Sequence, residues 1–177
     1  MLFQKGKLSV RKLEDEDAQQ LVKWLSNPVV LTFYEGRDNP FDIEKVRKEF
    51  YSEEEGLVRG IIEFDRKVIG YIQYYPIDEE ERTLYGYSAD EVVYGTDQLI
   101  GEVEYWNNGI GKVLVKAVVE HLIKTKQAQK VVMDPQEWNV RAIRCYEKCG
   151  FQKVKLLPER EWHEGAYRNC WLMEYTK

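Results

Sequence analysis

The architecture turns on one run of the chain, Trp106-Asn-Asn-Gly109-Ile-Gly111-Lys112-Val-Leu-Val-Lys-Ala-Val-Val-Glu-His-Leu-Ile-Lys-Thr-Lys126. Lys112, Lys116, Glu120 and Lys124 recur every fourth residue and draw one narrow polar stripe. Almost every other position from Val113 to Ile123 is aliphatic. A helix that is apolar around most of its circumference is buried against a sheet, not laid on a surface. Ahead of it residues 92–100 read as a strand, and behind it residues 130–133 form a short apolar one. Strand, helix, strand implies a parallel pair joined by a right-handed crossover.

The rest of the chain extends this mixed α/β pattern. Residues 7–13 read as a first strand, and Asp17 is a good N-cap for a helix carrying Leu21, Val22, Trp24 and Leu25. Asn27-Pro28 ends that helix. Residues 33–40 read as a loop, and Asp42 caps a second helix with Ile43, Val46, Phe50 and Tyr51. Residues 57–64 and 68–75 are two strands joined at Asp65-Arg66-Lys67 as a hairpin. The acidic run Asp78-Glu79-Glu80-Glu81 reads as a solvated turn. A last helix spans residues 139–149 and stops at Gly150. Strands at 151–156 and 169–175 close the chain. No repeat, linker or low-complexity tract interrupts it, so a single domain over residues 1–177 is expected, α/β with helices on one sheet.

Composition narrows the function classes. The chain has 177 residues, 44% of them apolar and 32% charged, and a chain of this length buries roughly 70% of its unfolded surface. No stretch approaches the roughly 18 apolar residues of a membrane span, and the first residues lack the apolar core of a signal peptide. A net charge of −5 disfavours a nucleic-acid binder and is compatible with a cationic small molecule. Three cysteines suit a reducing cytoplasm better than a disulfide framework. Cys145 and Cys149 lie one helical turn apart with no second ligand pair. Only His121 and His163 are available to complete a site, so the cysteines read as buried small hydrophobes and no metal is expected. His121 reads as structural; His163 fits a structural or a functional role.

Two motifs carry chemistry. Gly109 and Gly111 let the backbone turn its N–H groups toward one point, and the helix N-terminus adds unpaired donors and partial positive charge. A phosphate is the natural occupant, although a plain glycine turn entering a helix would carry the same letters. A Walker A loop would need Gly-Lys-Ser/Thr at longer spacing, and a dinucleotide fingerprint would need a third glycine where Leu114 stands. The second motif is Asn139-x-x-Ala142-x-x-x-Tyr146-x-x-x-Gly150-Phe151. On its own, Tyr146 on an apolar helix face would read as core.

Taken together, this order of strand, glycine loop, helix, strand and Asn-Ala-Tyr-Gly-Phe motif resembles the GCN5-related N-acetyltransferases (GNAT). The resemblance implies a mixed, mostly antiparallel sheet whose central parallel strands splay apart, with helices on both faces and acetyl-coenzyme A wedged between those strands. It implies that the amides of Asn108, Gly109, Ile110, Gly111 and Lys112 bind the pyrophosphate. Asn139 would hold the pantetheine arm and Tyr146 would protonate the departing thiolate. A backbone N–H near Leu99, Ile100 or Gly101 would stabilise the thioester oxygen. The family usually carries Gln or Arg where Trp106 stands.

A nearer likeness covers almost the whole chain. Trp24-Leu25, Phe33-Tyr34-Glu35-Gly36-Arg37-Asp38, residues 93–101 (Val-Tyr-Gly-Thr-Asp-Gln-Leu-Ile-Gly), Asp134-Pro135, the Arg141 to Lys148 helix and the tail with His163-Glu-Gly and Cys170-Trp-Leu-Met-Glu-Tyr175 are similar to aminoglycoside 6'-N-acetyltransferases. That likeness implies acetyl transfer to the 6'-amino group of an aminoglycoside, with Asp97 as general base and antibiotic resistance as the outcome. On the same ground Tyr34, Glu35 and Tyr94 would contact sugar rings. Asp97 is itself unusual, since an aspartate in a strand is unfavourable unless paired or exposed. Asp134 and Glu137 fit an acidic acceptor cleft, and Asp134-Pro135 fits ordinary turn chemistry equally well. An acetyltransferase acting on a protein N-terminus or a polyamine, and a non-catalytic acyl-coenzyme A sensor, are the competing readings. Monomer and homodimer are both compatible with the sequence.

Overall fold

Eight strands form one sheet in the computed structural model, which describes Met1–Lys177. They are β1 (Phe3–Lys5), β2 (Leu8–Lys12), β3 (Val58–Phe64), β4 (Lys67–Pro76), β5 (Val93–Ile100), β6 (Lys130–Met133), β7 (Gln152–His163) and β8 (Ala166–Thr176). Six helices accompany them: α1 (Ala18–Trp24), α2 (Pro28–Leu31), α3 (Ile43–Phe50), α4 (Glu79–Tyr85), α5 (Ile110–Lys126) and α6 (Val140–Lys148). The strand order is β1-β2-β3-β4-β5-β6-β8-β7. The sheet is mostly antiparallel with one parallel pair, β5–β6. That pair is registered at Val93↔Lys130, Tyr94↔Val131 and Gly95↔Val132, and β5 then runs on to Ile100. No helix is long and apolar enough to cross a membrane.

The chain divides into two compact units, Met1–Gln73 with Gln98–Ile110, and Tyr74–Asp97 with Gly111–Lys177. In the first unit Leu21, Trp24, Leu25, Leu31, Val46, Phe50, Ile61 and Tyr71 form one apolar cluster. Local signals set its helices: the Asp42 side chain accepts from Lys45 N at 2.8 Å to open α3. Arg11 fixes the approach to α1 with two 2.8 Å bonds to Asp17 and one of 2.9 Å to Glu63. The β3–β4 hairpin turns at Asp65 and Arg66 with φ of 49° and 66°, the left-handed pair whose twist matches antiparallel strands.

The second unit is built around α5. Leu114, Val115, Val118, Val119 and Leu122 are buried, and Lys112, Lys116, Glu120 and Lys124 are exposed, as the stripe requires. His121 is structural, its Nε2 lying 3.0 Å from the Tyr74 hydroxyl. A second cluster joins Ile77, Tyr85, Val93, Val132, Leu157, Cys170 and Leu172.

The structure departs from the sequence reading in four places. The acidic run at 78–81 is not a solvated turn: Asp78 caps α4 by accepting from Glu81 N at 2.7 Å, and Gly86 ends it at φ 83°. Acids in a first helical turn are favoured by the helix dipole, and this the run alone did not disclose. Pro28 does end α1, but as the first residue of α2, where its missing N–H costs nothing. β1 was not foreseen. The last two strands are much longer than expected and close in a hairpin, His163↔Ala166, with a register shift between Leu157 and Glu161.

Candidate active site

The glycine turn is bent for an anion. Asn107 and Gly109 take φ of 60° and 77°, and α5 begins at the next residue. Around Gly109 the space where a Cβ would sit is open. Asn108, Gly109 and Lys112 are exposed and Gly111 is half-buried. The first amides of a helix have no acceptor within it, so this seventeen-residue helix opens on donors suited to a diphosphate. These residues fit the coenzyme A diphosphate. Trp106 plays another part: its indole N–H donates to the Ile100 carbonyl at 2.7 Å and its ring meets Phe33 edge-on at 5.7 Å. Where the family usually places a long polar side chain, this chain ties down the end of β5.

The expected thioester-oxygen donors narrow on inspection. The Gly101 N–H already donates to the Ile69 carbonyl at 2.8 Å, which commits it to the backbone. Asn139 is the N-cap of α6, its side-chain oxygen accepting from Ala142 N at 3.3 Å; its amide group is the part left to meet a ligand. Tyr146 is half-buried on α6 with its ring 6.2 Å from Phe151. Cys145 and Cys149 are free thiols. Burial raises both, Cys149 to about 11, so neither is a ready nucleophile.

The second unit gathers carboxylates. Asp97 on β5, Glu81 on α4 and Glu161 on β7 are all within electrostatic reach of Asp134 after β6, and Asp97 also acts on Glu161. Asp134 is pushed up to about 7, chiefly by burial, with the Asp97 charge adding and Arg160 opposing. Burial likewise raises Glu161 and Glu81. It raises the Tyr75 phenol far above its ordinary range, and Asp97, Asp134 and Glu81 add to it. Tyr75 lies over β5 at Gly95, where an added Cβ would stand 2.9 Å from its hydroxyl. Arg160 is the cation of the group: Nε is 3.4 Å from Asp134, Nη2 is 3.9 Å from Glu81 and donates to the Tyr85 hydroxyl at 3.3 Å.

A raised carboxyl has a measurable consequence. An unfolded aspartate titrates at about 3.9, so between that value and 7 the folded chain holds a proton that the unfolded chain releases. Stability therefore falls as pH climbs through that window and levels off above it. Asp134→Asn removes this dependence. The melting temperature of the variant, measured by calorimetry, should exceed that of the parent by a margin that widens from pH 5 to pH 7; a constant margin would assign Asp134 an ordinary titration.

Not every expected contact residue joins this cluster. Tyr34 and Glu35 belong to the first unit, Tyr34 packed against its core and Glu35 at φ 73° accepting from Asn39 at 3.3 Å. Tyr94 and Asp97 flank Gly95 and Thr96 on β5. Glu137 is exposed and accepts from Asn169 at 3.2 Å. His163 is buried against Trp138, ring centres 5.4 Å apart. Glu81, Glu161, Tyr75 and Arg160 were not singled out in the sequence. The charged run Glu159-Arg160-Glu161 in an otherwise strand-like stretch was the available sign.

A parallel pair registered over three residues and a glycine turn that opens α5 on donors suited to a diphosphate both suit one class, the N-acetyltransferases that draw on acetyl-coenzyme A. The acetyltransferase (GNAT) domain family matches residues 14–158, and the chain belongs to that family. It is 28% identical to an aminoglycoside N(6')-acetyltransferase type 1 of Klebsiella pneumoniae over 149 residues, covering 82% of this chain and 74% of that one. The crystal structure of aminoglycoside acetyltransferase AAC(6')-Ib in complex with coenzyme A and kanamycin superposes with a TM-score of 0.75 at 25% identity, covering 96% of this chain and 95% of the other. A spermidine N-acetyltransferase of Vibrio cholerae shares the fold, with a TM-score of 0.79 at 17% identity over 97% and 96% of the two chains. No group of His, Cys, Asp and Glu is arranged to hold a metal ion.

Proposed function

We propose that this acetyltransferase acts in the cytoplasm on the 6'-amino group of an aminoglycoside, with Asp97 as general base and Tyr146 as general acid. The observation that carries the reading is the set of crowded carboxylates in the second unit. Burial and repulsion from Asp97 hold Asp134 and Glu161 above their ordinary titration, burial and Asp78 do the same for Glu81, and a polycation offsets the crowding of negative charge. Acetyl-coenzyme A supplies an activated acetyl group and a good leaving thiolate. The amides of residues 108–112 hold its diphosphate, the Asn139 amide its pantetheine arm, and a β5 amide of Leu99 or Ile100 its thioester oxygen. Asp97 takes the proton that keeps the acceptor amine from attacking, and the Tyr146 hydroxyl gives one to the departing sulfur. The protein needs no covalent link to the acetyl group; holding both reactants in place supplies much of the acceleration.

Incubation of the protein with acetyl-coenzyme A and kanamycin should yield singly acetylated kanamycin, located at the 6' position by fragment masses. Unmodified kanamycin would overturn the reading. A second acceptor class, the linear polyamines, answers the same carboxylates, and the shared fold with the spermidine enzyme favours including it. Spermidine in parallel decides between them: preference for it over kanamycin by kcat/KM would make this a polyamine acetyltransferase.

A further inference from the structure

Arg160 already occupies the carboxylate cluster proposed to receive a cation. The β7 backbone shifts register between Leu157 and Glu161, and Glu159 within that bulge takes a φ of 50°. A bulge of this kind re-aims the side chains it carries. Here it turns the guanidinium back toward α4 and the segment after β6, where it reaches Asp134, Glu81 and the Tyr85 hydroxyl at once. Its carbon sits 5.9 Å from the centre of the Tyr85 ring. Two carboxylates and a tyrosine, from α4 and the segment after β6, thus face this tethered cation, and Asp97 and Glu161 act on the same Asp134. The tether leaves the side chain about a third exposed, so it is held but not entombed.

We propose that Arg160 is a specificity-determining residue: it stands in for one ammonium group of the acceptor, and an acceptor must displace it from Asp134 and Glu81 to bind. The inference rests on the reading of this cluster as the acceptor site. Displacement takes two ion pairs and a hydrogen bond from the guanidinium. An aminoglycoside, with several ammonium groups on a rigid frame, replaces all of them and still has charges to spare for Asp97 and Glu161. A short diamine replaces them only in part. Arg160 therefore sets a threshold of charge below which amines bind poorly, and it does so without touching the reacting atoms.

The experiment uses Arg160→Gln and Arg160→Lys at pH 8, where Asp134 is ionised. For Arg160→Gln the inhibition constant of 1,4-diaminobutane against kanamycin should fall by about five-fold, the scale of a partly exposed ion pair. The KM for kanamycin should fall by less, and kcat should change less than KM. Arg160→Lys keeps the charge but not the fork, and should shift both values the same way by a smaller factor. The pH profile of 1/KM gives a readout that a merely structural role would not move. Arg160 opposes the upward displacement of Asp134, so its loss should carry that limb to higher pH. A rise in the KM for kanamycin in the Gln variant, or unchanged constants with an unmoved limb in both variants, overturns the proposal while leaving the acceptor site intact. Absence of kanamycin acetylation by the parent protein, in contrast, removes the acceptor reading and this inference together.

Discussion

Asp97→Asn should lower kcat/KM for kanamycin by about 100- to 10,000-fold, the range over which a positioned base contributes, with the affinity for acetyl-coenzyme A within about two-fold of the parent. The expectation follows from a conflict inside the site. Carboxylates crowded in a partly buried pocket attract an ammonium ion, and the same negative field raises the pKa of the amine it attracts. The pocket thus captures the acceptor in the form that cannot attack a thioester. A proton acceptor within the pocket resolves the conflict, and Asp97 is the carboxylate on β5, the strand that parts from β6. Steady-state kinetics in both substrates, with calorimetric titration of acetyl-coenzyme A, check this. An Asn variant within about three-fold of the parent would remove Asp97 from the proton path. A charge readout accompanies it: Asp97 is the second cause of the raised Asp134 titration, so Asp97→Asn should return Asp134 toward the ordinary carboxylate range.

The same negative field explains what Asp134 contributes. Burial and the Asp97 charge push it up to about 7, so under the proposed function an entering cation would favour its ionised form and the acetylated product, carrying one charge fewer, would favour it less. Tyr75 and Tyr85 sit beside it with phenols raised by burial that stay protonated, and Tyr85 donates to Glu81 at 3.2 Å.

What the sequence disclosed and what it withheld divide along a physical line. Helix α5 was legible because a four-residue polar stripe on an aliphatic cylinder has one packing solution. The turn ahead of that helix was legible from Gly109 and Gly111, and the chain bends there at Asn107 and Gly109. Asp97 was conspicuous as an acid in a strand. Glu81, Glu161 and Arg160 were not, because their meaning comes from contacts across about half the chain, between α4, β7 and the segment after β6. Arg160 in addition depends on a register shift, and a one-residue slip in a strand sends a side chain to the other face. Periodicity had also stopped β7 at residue 156, before the bulge and the hairpin beyond it.

The largest effect on stability should come from a position with no chemistry of its own. Gly101 follows β5, and a Cβ built there would stand 2.1 to 2.4 Å from the nearest carbons of the Trp24 indole, far closer than the 3.0 Å that real Cβ atoms respect. Neither side can yield. The ring is 1% exposed within the first unit's core, and its N–H donates to Glu102 at 3.1 Å. That same carboxylate oxygen takes Gln20 at 2.9 Å and Lys23 at 2.6 Å. The backbone is pinned as firmly, since Gly101 N and Glu102 N both donate to the Ile69 carbonyl, at 2.8 and 3.1 Å. Gly101→Ala should therefore cost about 3 kcal/mol or more, the upper range for overpacking a core, and lower the melting temperature by roughly 6–12 °C for a domain of this size. Trp24→Leu tests the cause. Alone it should destabilise by leaving a cavity, but in its presence Gly101→Ala should cost far less, because the ring that forbids the methyl group is gone. Thermal unfolding of the two single variants and the double variant gives the coupling directly. Strict additivity, or a Gly101→Ala protein that melts within about 2 °C of the parent, would show that the indole does not hold this strand end in place.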